Sequence, residues 1–434
     1  MKETQDVTAC VVDNGMFMPV ATKLAERMAK VYYPSPWDEG YPQLTECVLG
    51  DGVPGIERLD DFFHPEVFDT IDLFVFPNLI GEGLQRYLDR AGKAVWGSRS
   101  AAQLERMKGK FYKTLEEVGL PVPEHKVIVG FSKLKDYLQE HEDLFIKISR
   151  YRGTMDTWKH TTYAESEPYL DWLAIRFGPF KEFVHFYCIT PIDTDIEGGI
   201  DNYNIDGQWP NYAVLGYEAK NKTYLATVKP FAEMPEQFKL VNDLYGPILA
   251  EYRYRQFFST EIRVQDDGQS MFIDPTCRCP SPAGEEQLEL YANIADIIWR
   301  GAQGELVQPE IAYQFAGESL IVYQGEAEAW KQLAVPEEYR RWVKLYGCAE
   351  IDGISYYPPE KEMIIGALVG VGDTPGEVIE HLKETKEALD GLPVEIDLSS
   401  IAGLIQEIEA AEEQGIEFTN QKMPEPAAVL DNGA

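Results

Sequence analysis

The chain has 434 residues, 44% of them apolar, with 73 Asp and Glu against 39 Lys and Arg and a formal net charge of -34. That length fits two or three globular domains, each able to bury a core, and that charge repels phosphate backbones and anionic lipid surfaces, so nucleic acid and membrane are excluded as partners. Cys10, Cys47, Cys188, Cys277, Cys279 and Cys348 lack the paired spacing of a zinc site and read as reduced. With no secretory apolar region at its start and no apolar run of roughly 18 residues, the chain reads as cytoplasmic.

In chain order, 8–12 reads as a buried strand, 18–29 as a helix with Val20, Leu24 and Met28 on one face, and 31–33 as a second strand. This βαβ opening continues through a strand at 71–76, a helix carrying Ile80, Leu84, Tyr87, Leu88 and Ala91, and a short strand at 94–96 closed by Gly97. Residues 1–100 therefore predict a small doubly wound domain. Its first turn, Asp13-Asn14-Gly15-Met16, lacks the glycine fingerprint of a dinucleotide site.

Leu104, Met107, Phe111, Leu115 and Val118 then repeat at helical spacing, with Gly119 as the stop. Strands at 125–129, 144–149 and 183–189, a long helix over 235–253 and a hairpin at 257–274 follow, and their mostly antiparallel pairing predicts an α+β domain over 101–308. The segment 301–309 reads as a linker to a smaller α+β domain, 309–418. That domain has a strand at 363–371, a capping box at Thr374-Pro375-Gly376-Glu377 opening a helix to Leu389, and a last helix carrying Ile401, Leu404, Ile405 and Ile408. The tail, 419–434, is polar and reads as disordered or loosely docked. The fold class is α/β and α+β multidomain.

The hairpin carries the chemistry. A two-residue turn at Asp267-Gly268 pairs Val264 with Met271, Arg263 with Phe272 and Glu261 with Asp274, and alternation puts Glu261, Arg263, Phe272, Asp274, Thr276 and Arg278 on one face. Two carboxylates directly opposite repel unless a cation bridges them or one is protonated, and hard oxygen ligands suit magnesium shared with phosphates. On the plainer reading the hairpin is solvated and Arg263 neutralises Glu261. Lys147, mid-strand, needs an anion if buried, or sits on an outward face. Arg150-Tyr151-Arg152-Gly153-Thr154 is a basic turn that can fold over phosphates or be a solvated loop. Lys108, among Arg106, Lys110 and Lys113, reads by default as part of a solvated basic face.

Taken as an ordered set, these pieces resemble the ATP-grasp superfamily, and more closely its phosphoribosylamine–glycine ligase type. The run from Gly97 to Glu105, then Lys108, then Gly119-Leu120-Pro121, is similar to the segment joining that family's N-terminal and nucleotide domains. The resemblance implies that Lys108 and Lys147 are the two ATP-contacting lysines, that Arg152 lies in the phosphate-covering loop, and that the adenine hinge falls near 188–191. In the stretch 195–201, Glu197 would hold the ribose hydroxyls. Glu261, Asp274 and Thr276 would hold Mg2+, with Mn2+ as the alternative, and Arg278 would face the transferred phosphoryl group. Lys220 is a further phosphate or substrate contact, or a surface lysine.

Three features depart from the family pattern. Aspartate replaces glutamate at 274, threonine replaces asparagine at 276, and the loop lacks its glycine run. The implied activity is an ATP-dependent carboxylate–amine ligase working through an acyl phosphate on small-molecule carboxylate and amine substrates. The alternatives are a carboxylase or thiol ligase of the same superfamily, or a non-catalytic nucleotide-binding regulatory protein. A homodimer is the general expectation for the assembly.

Overall fold

The computed structural model describes residues 2–34, 48–149, 157–194, 196–326, 328–359 and 364–430. Cys47, the turn 150–154 with Arg150 and Arg152, Asp195, Met363 and residues 431–434 lie outside the described residues. The described residues form two compact units, one from 1–100, 198–259 and 276–434, the other from 101–197 and 260–275. The mixed α/β and α+β architecture expected from the sequence is present.

The first unit opens with a five-stranded parallel sheet. Its strands are β1 (Thr8–Val11), β2 (Lys30–Pro34), β3 (Glu57–Leu59), β4 (Leu73–Val75) and β5 (Ala94–Trp96), in the order β3-β2-β1-β4-β5. Ala9 pairs with Val31 on one side and Leu73 on the other, so strand order reverses at β1, which places the loop after β1 where doubly wound sheets bind ligands. Cys10, Tyr32, Phe74, Phe76, Leu88 and Val95 fill the core beneath. The helix expected over 18–29 is shorter, Met18–Ala25, because the chain tightens into turns at Glu26 and Arg27, although Met28 stays buried.

The same unit holds an antiparallel sheet in which the strands Tyr212–Ala219, Thr223–Pro230, Phe315–Tyr323, Ile364–Gly372 and Val343–Leu345 are successive neighbours. The helix Pro375–Ala388, opened by the expected capping box at Thr374 and Glu377, lies across this sheet. Gly317 and Gly370 permit the close approach, since a Cβ on them would stand 2.8 Å from Val378 and 2.6 Å from Leu382. The tail is docked through residue 430 rather than loose: Met423 and Val429 are buried, the latter in the helix Pro426–Leu430.

The second unit centres on a four-stranded antiparallel sheet. The strand His185–Ile189 lies between His125–Val129 and Leu144–Ile148, and Thr157–His160 flanks the latter. Ile128, Phe131, Leu134, Ile146, Leu170, Leu173 and Phe186 form its core. Two expectations need correction here. The helix expected to run through 104–118 is two helices, Ala102–Arg106 and Lys108–Val118, broken where Met107 leaves helical geometry at φ -121 and ψ 89. The hairpin turn has three residues rather than two: Gly268 N–H donates to the Gln265 carbonyl at 2.8 Å, and Gln265 N–H to the Gln269 carbonyl at 3.0 Å. Gly268 supplies the left-handed φ of 81 that this loop requires.

Candidate functional site

The helix break at Met107 makes Lys108 the first residue of the helix Lys108–Val118, with its side chain directed into the second unit rather than outward. Its ammonium donates to Asp274 Oδ1 at 3.0 Å and to the Ile273 carbonyl at 3.1 Å. It also lies 4.7 Å from the Phe111 ring centroid and 5.6 Å from that of Tyr112, so the charge is screened by aromatic faces as well as by a carboxylate. Phe111 in turn packs edge-on against Phe272 at 5.1 Å, fixing the helix over the strand that carries Asp274. The solvated basic face is therefore not where Lys108 resides.

Lys147 reaches the same carboxylate from the sheet. It pairs with Thr157 and Tyr187 across its strand, and its ammonium donates to Asp274 Oδ2 at 2.7 Å. Both oxygens of Asp274 thus accept from lysines brought in by different elements. Burial pushes Lys108 down from its ordinary 10.5 to about 8, Asp274 pulls it back up, Lys147 presses it further down, and Glu261 adds a weaker stabilising field. Two ammoniums thus converge on one carboxylate, with Glu261 a second carboxylate in the field of Lys108.

Gly109 matters to this packing. Its missing side chain leaves room for the Tyr187 hydroxyl, which an added Cβ would approach to 2.4 Å. Tyr187 also packs against Tyr112 at 5.8 Å and His125 at 5.8 Å, beside the segment expected to form the hinge. Within that segment Cys188 is buried, its thiol pushed up to about 12 by burial, and Thr190 N–H donates to the Glu124 carbonyl at 2.9 Å.

Glu197 is tied to Arg263: Arg263 Nε donates to Glu197 Oε2 at 2.7 Å, and Nη2 donates to the same oxygen. The plainer reading of the sequence paired Arg263 with Glu261. The partner found here is instead the glutamate expected to hold the ribose. Arg263 was thus missed as a neighbour of the nucleotide residues, and its alternation with Glu261 along one strand was the available signal.

The second unit therefore brings Lys108, Lys147 and Asp274 into direct contact, places Glu261 within their field, and holds Glu197 on Arg263. Thr276 and Arg278 belong to the first unit. There Arg278 donates to the Cys279 carbonyl at 3.2 Å and lies 6.0 Å from the Phe17 ring, while Cys279 N–H donates to the Pro77 carbonyl at 2.8 Å. Lys220 is exposed in the first unit, in the turn joining Tyr212–Ala219 to Thr223–Pro230. No disulfide joins the described cysteines, and no helix among the described residues is long and apolar enough to cross a membrane.

No protein-family model and no curated protein matches the chain. Solved structures do match across nearly its whole length. Phosphoribosylamine–glycine ligase from Thermotoga maritima superposes with a TM-score of 0.64 at 15% identity, covering 90% of this chain and 98% of that one. The chain shares the fold of that enzyme. An L-amino acid ligase from Bacillus licheniformis gives 0.61 at 15% identity, covering 91% and 99%. The biotin carboxylase domain of Hydrogenobacter thermophilus 2-oxoglutarate carboxylase, solved with MgADP, ADP and bicarbonate, gives 0.61 at 14%, covering 98% and 99%.

Proposed function

We propose that this chain is an ATP-grasp enzyme, an ATP-dependent carboxylate–amine ligase forming an amide through an acyl phosphate. The observation that carries the reading is the convergence of Lys108 and Lys147 on the two oxygens of Asp274. A polyphosphate offers those ammoniums a stronger anionic partner and frees the carboxylate for a cation, so the triad is the resting form of a site that exchanges partners on nucleotide binding. Lys108 and Lys147 hold phosphates, with Arg152 in the loop over them, and Glu197 takes the ribose hydroxyls in place of Arg263.

Glu261, Asp274 and Thr276 would offer a divalent cation the hard oxygens it prefers. The cation, Mg2+ or Mn2+, would neutralise phosphate charge. A substrate carboxylate attacks the γ-phosphate in line and expels ADP, Arg278 stabilises charge at the acyl phosphate, and a neutral amine displaces phosphate and loses a proton to give the amide. Positioning and charge neutralisation supply most of the acceleration. Lys220 is a peripheral substrate contact. The division into 1–100, 101–308 and 309–418 belongs to the same proposal, as do small-molecule substrates and a homodimer.

The test is ADP release, coupled to mass spectrometry, from the protein with Mg-ATP and pooled carboxylic acids, amino acids and amines. Substrate-dependent ADP with a new amide mass is expected, and Glu261→Gln or Lys147→Ala should abolish it while leaving the melting temperature near wild type. ATP binding without ADP release in any mixture would refute the ligase and give a regulatory nucleotide binder.

A further inference from the structure

A cleft of about 520 Å³ opens beside the C-terminal end of the helix Met18–Ala25. Lys23, Glu26 and Arg27 line it from that side, Leu288 and Glu289 from the end of the helix Gly284–Leu290, Ile294 from the start of the helix Ile294–Ala302, and Tyr313 and Arg341 from segments further along the chain. All of these residues belong to the first unit. The helix Met18–Ala25 begins next to the loop after β1, where a doubly wound sheet takes its ligand, and its rise per residue sets Ala25 roughly 10 Å from Met18. The cleft is therefore a second place in this unit, and it shares no residue with those assigned to nucleotide, cation or acyl phosphate.

Its charge runs against that of the chain, which is -34 overall. At its base the side chain of Glu289 is fully buried. Glu289 Oε1 accepts from Lys344 at 2.6 Å and from Lys23 at 3.1 Å, and Oε2 accepts from Arg341 Nε at 2.8 Å. Burial raises this carboxyl, but Lys344, Lys23 and Arg341 together outweigh burial and hold it below its ordinary range, so Glu289 is ionised. Glu26 is the other carboxylate in the lining, largely exposed and 3.1 Å from Lys23. With Lys344 beside Glu289, four cations meet two carboxylates, which leaves a surplus of two positive charges.

Arg27 presents that surplus to an incoming molecule. It is exposed, it forms no ion pair among the described residues, and its hydrogen bond from Nη2 to the Ala292 carbonyl is long at 3.5 Å. Arg341, half-exposed, commits Nε and Nη2 to Glu289 and keeps Nη1 for a ligand. A network that served only to neutralise Glu289 would have no use for an unpaired guanidinium at its mouth.

A phosphate monoester fits this arrangement. Guanidinium groups match phosphoryl oxygens with paired N–H donors, and a charge close to -2 at neutral pH balances the surplus. The volume is that of a small-molecule site rather than of a bare ion, and Leu288, Ile294 and the Tyr313 ring give a carbon body a wall to pack on. We propose that the cleft binds a small phosphate monoester, its phosphoryl oxygens on Arg27, Arg341 and Lys23 and its body against Tyr313, Leu288 and Ile294. The inference goes beyond the ligase reading and does not depend on it.

The probe is phenyl phosphate, titrated calorimetrically into the full-length protein with and without Mg-AMPPNP, beside benzoate and phenol. Expected are one phenyl phosphate bound per chain in either condition, benzoate at least about tenfold weaker, and no binding of phenol. Arg27→Gln and Arg341→Gln, on different segments, should each weaken phenyl phosphate about tenfold. Arg27→Gln breaks no ion pair, so its melting temperature and its affinity for Mg-AMPPNP should stay at the wild-type values. No phenyl phosphate binding by wild type, displacement of the probe by Mg-AMPPNP, an unchanged affinity in Arg27→Gln, or benzoate or phenol binding as tightly as phenyl phosphate would overturn the proposal.

Discussion

Replacing Lys108 by Met should make the protein more stable and its nucleotide site weaker. The interval between about 8 in the fold and the ordinary 10.5 is equivalent to about 3 kcal/mol, at roughly 1.4 kcal/mol per pH unit. That is the cost of keeping this ammonium buried at neutral pH. Lys108→Met removes it while preserving chain length and the contacts with Phe111 and Tyr112, and Asp274 keeps Lys147 at 2.7 Å. Because Asp274 also loses one partner, the expected net gain is about 1–2 kcal/mol in urea denaturation at pH 7. The sign with pH is also fixed. Below about pH 8 both folded and unfolded states hold the proton and the full cost acts. Between about 8 and 10.5 the unfolded chain holds one proton more, so wild-type stability gains on the variant's as pH rises. Binding of Mg-AMPPNP, followed by calorimetry, should weaken at least about tenfold in the variant. A variant that loses about 2 kcal/mol or more and binds nucleotide as well as wild type would show Lys108 to be a structural cation.

Asp274→Asn strands two ammoniums. It should cost about 3 kcal/mol in urea denaturation, the low end for breaking a buried pair, since Asp274 and Lys147 are each 19% exposed; a loss under about 1 kcal/mol would show that solvent already screens the triad. Gly109→Ala gains helix propensity of about 1 kcal/mol but drives a Cβ to 2.4 Å from the Tyr187 hydroxyl. The single variant should therefore be destabilised and Gly109→Ala/Tyr187→Phe should recover wild-type stability or better; no recovery in thermal melts would place the conflict elsewhere. Thr374→Ala removes the side-chain oxygen that accepts from Glu377 N–H at 3.2 Å, and should lower stability by about 1 kcal/mol. An unchanged urea midpoint would mean that packing of the helix Pro375–Ala388 holds its first turn unaided.

Legibility in the sequence followed the range of the interactions. The βαβ opening, the capping box and the hairpin could be read because each is specified by neighbours a few residues apart. The length of the hairpin's turn could not, since a two-residue and a three-residue loop both place Gly268 in the left-handed conformation. The break at Met107 was hidden because Leu104, Met107, Phe111 and Leu115 keep helical spacing across it. Lys108 therefore read as one more cation on a basic face, although it is among the more deeply buried lysines. Order and spacing along the chain pointed to Lys108, Lys147 and Asp274 as members of one set, and the contact between them needs only the tertiary structure to appear.

The buried acids show the opposite limit. Phe315–Tyr323 was not read as a strand because Gly317-Glu318-Ser319 interrupts its apolar pattern, and Glu285-Glu286 at a helix start reads as ordinary surface charge near a helix N-terminus. In a chain with 73 acidic residues, composition assigns every one of them to solubility. Burial separates them: Asp274 is held by two lysines, whereas Glu286 and Glu318 are buried close to other carboxyl groups.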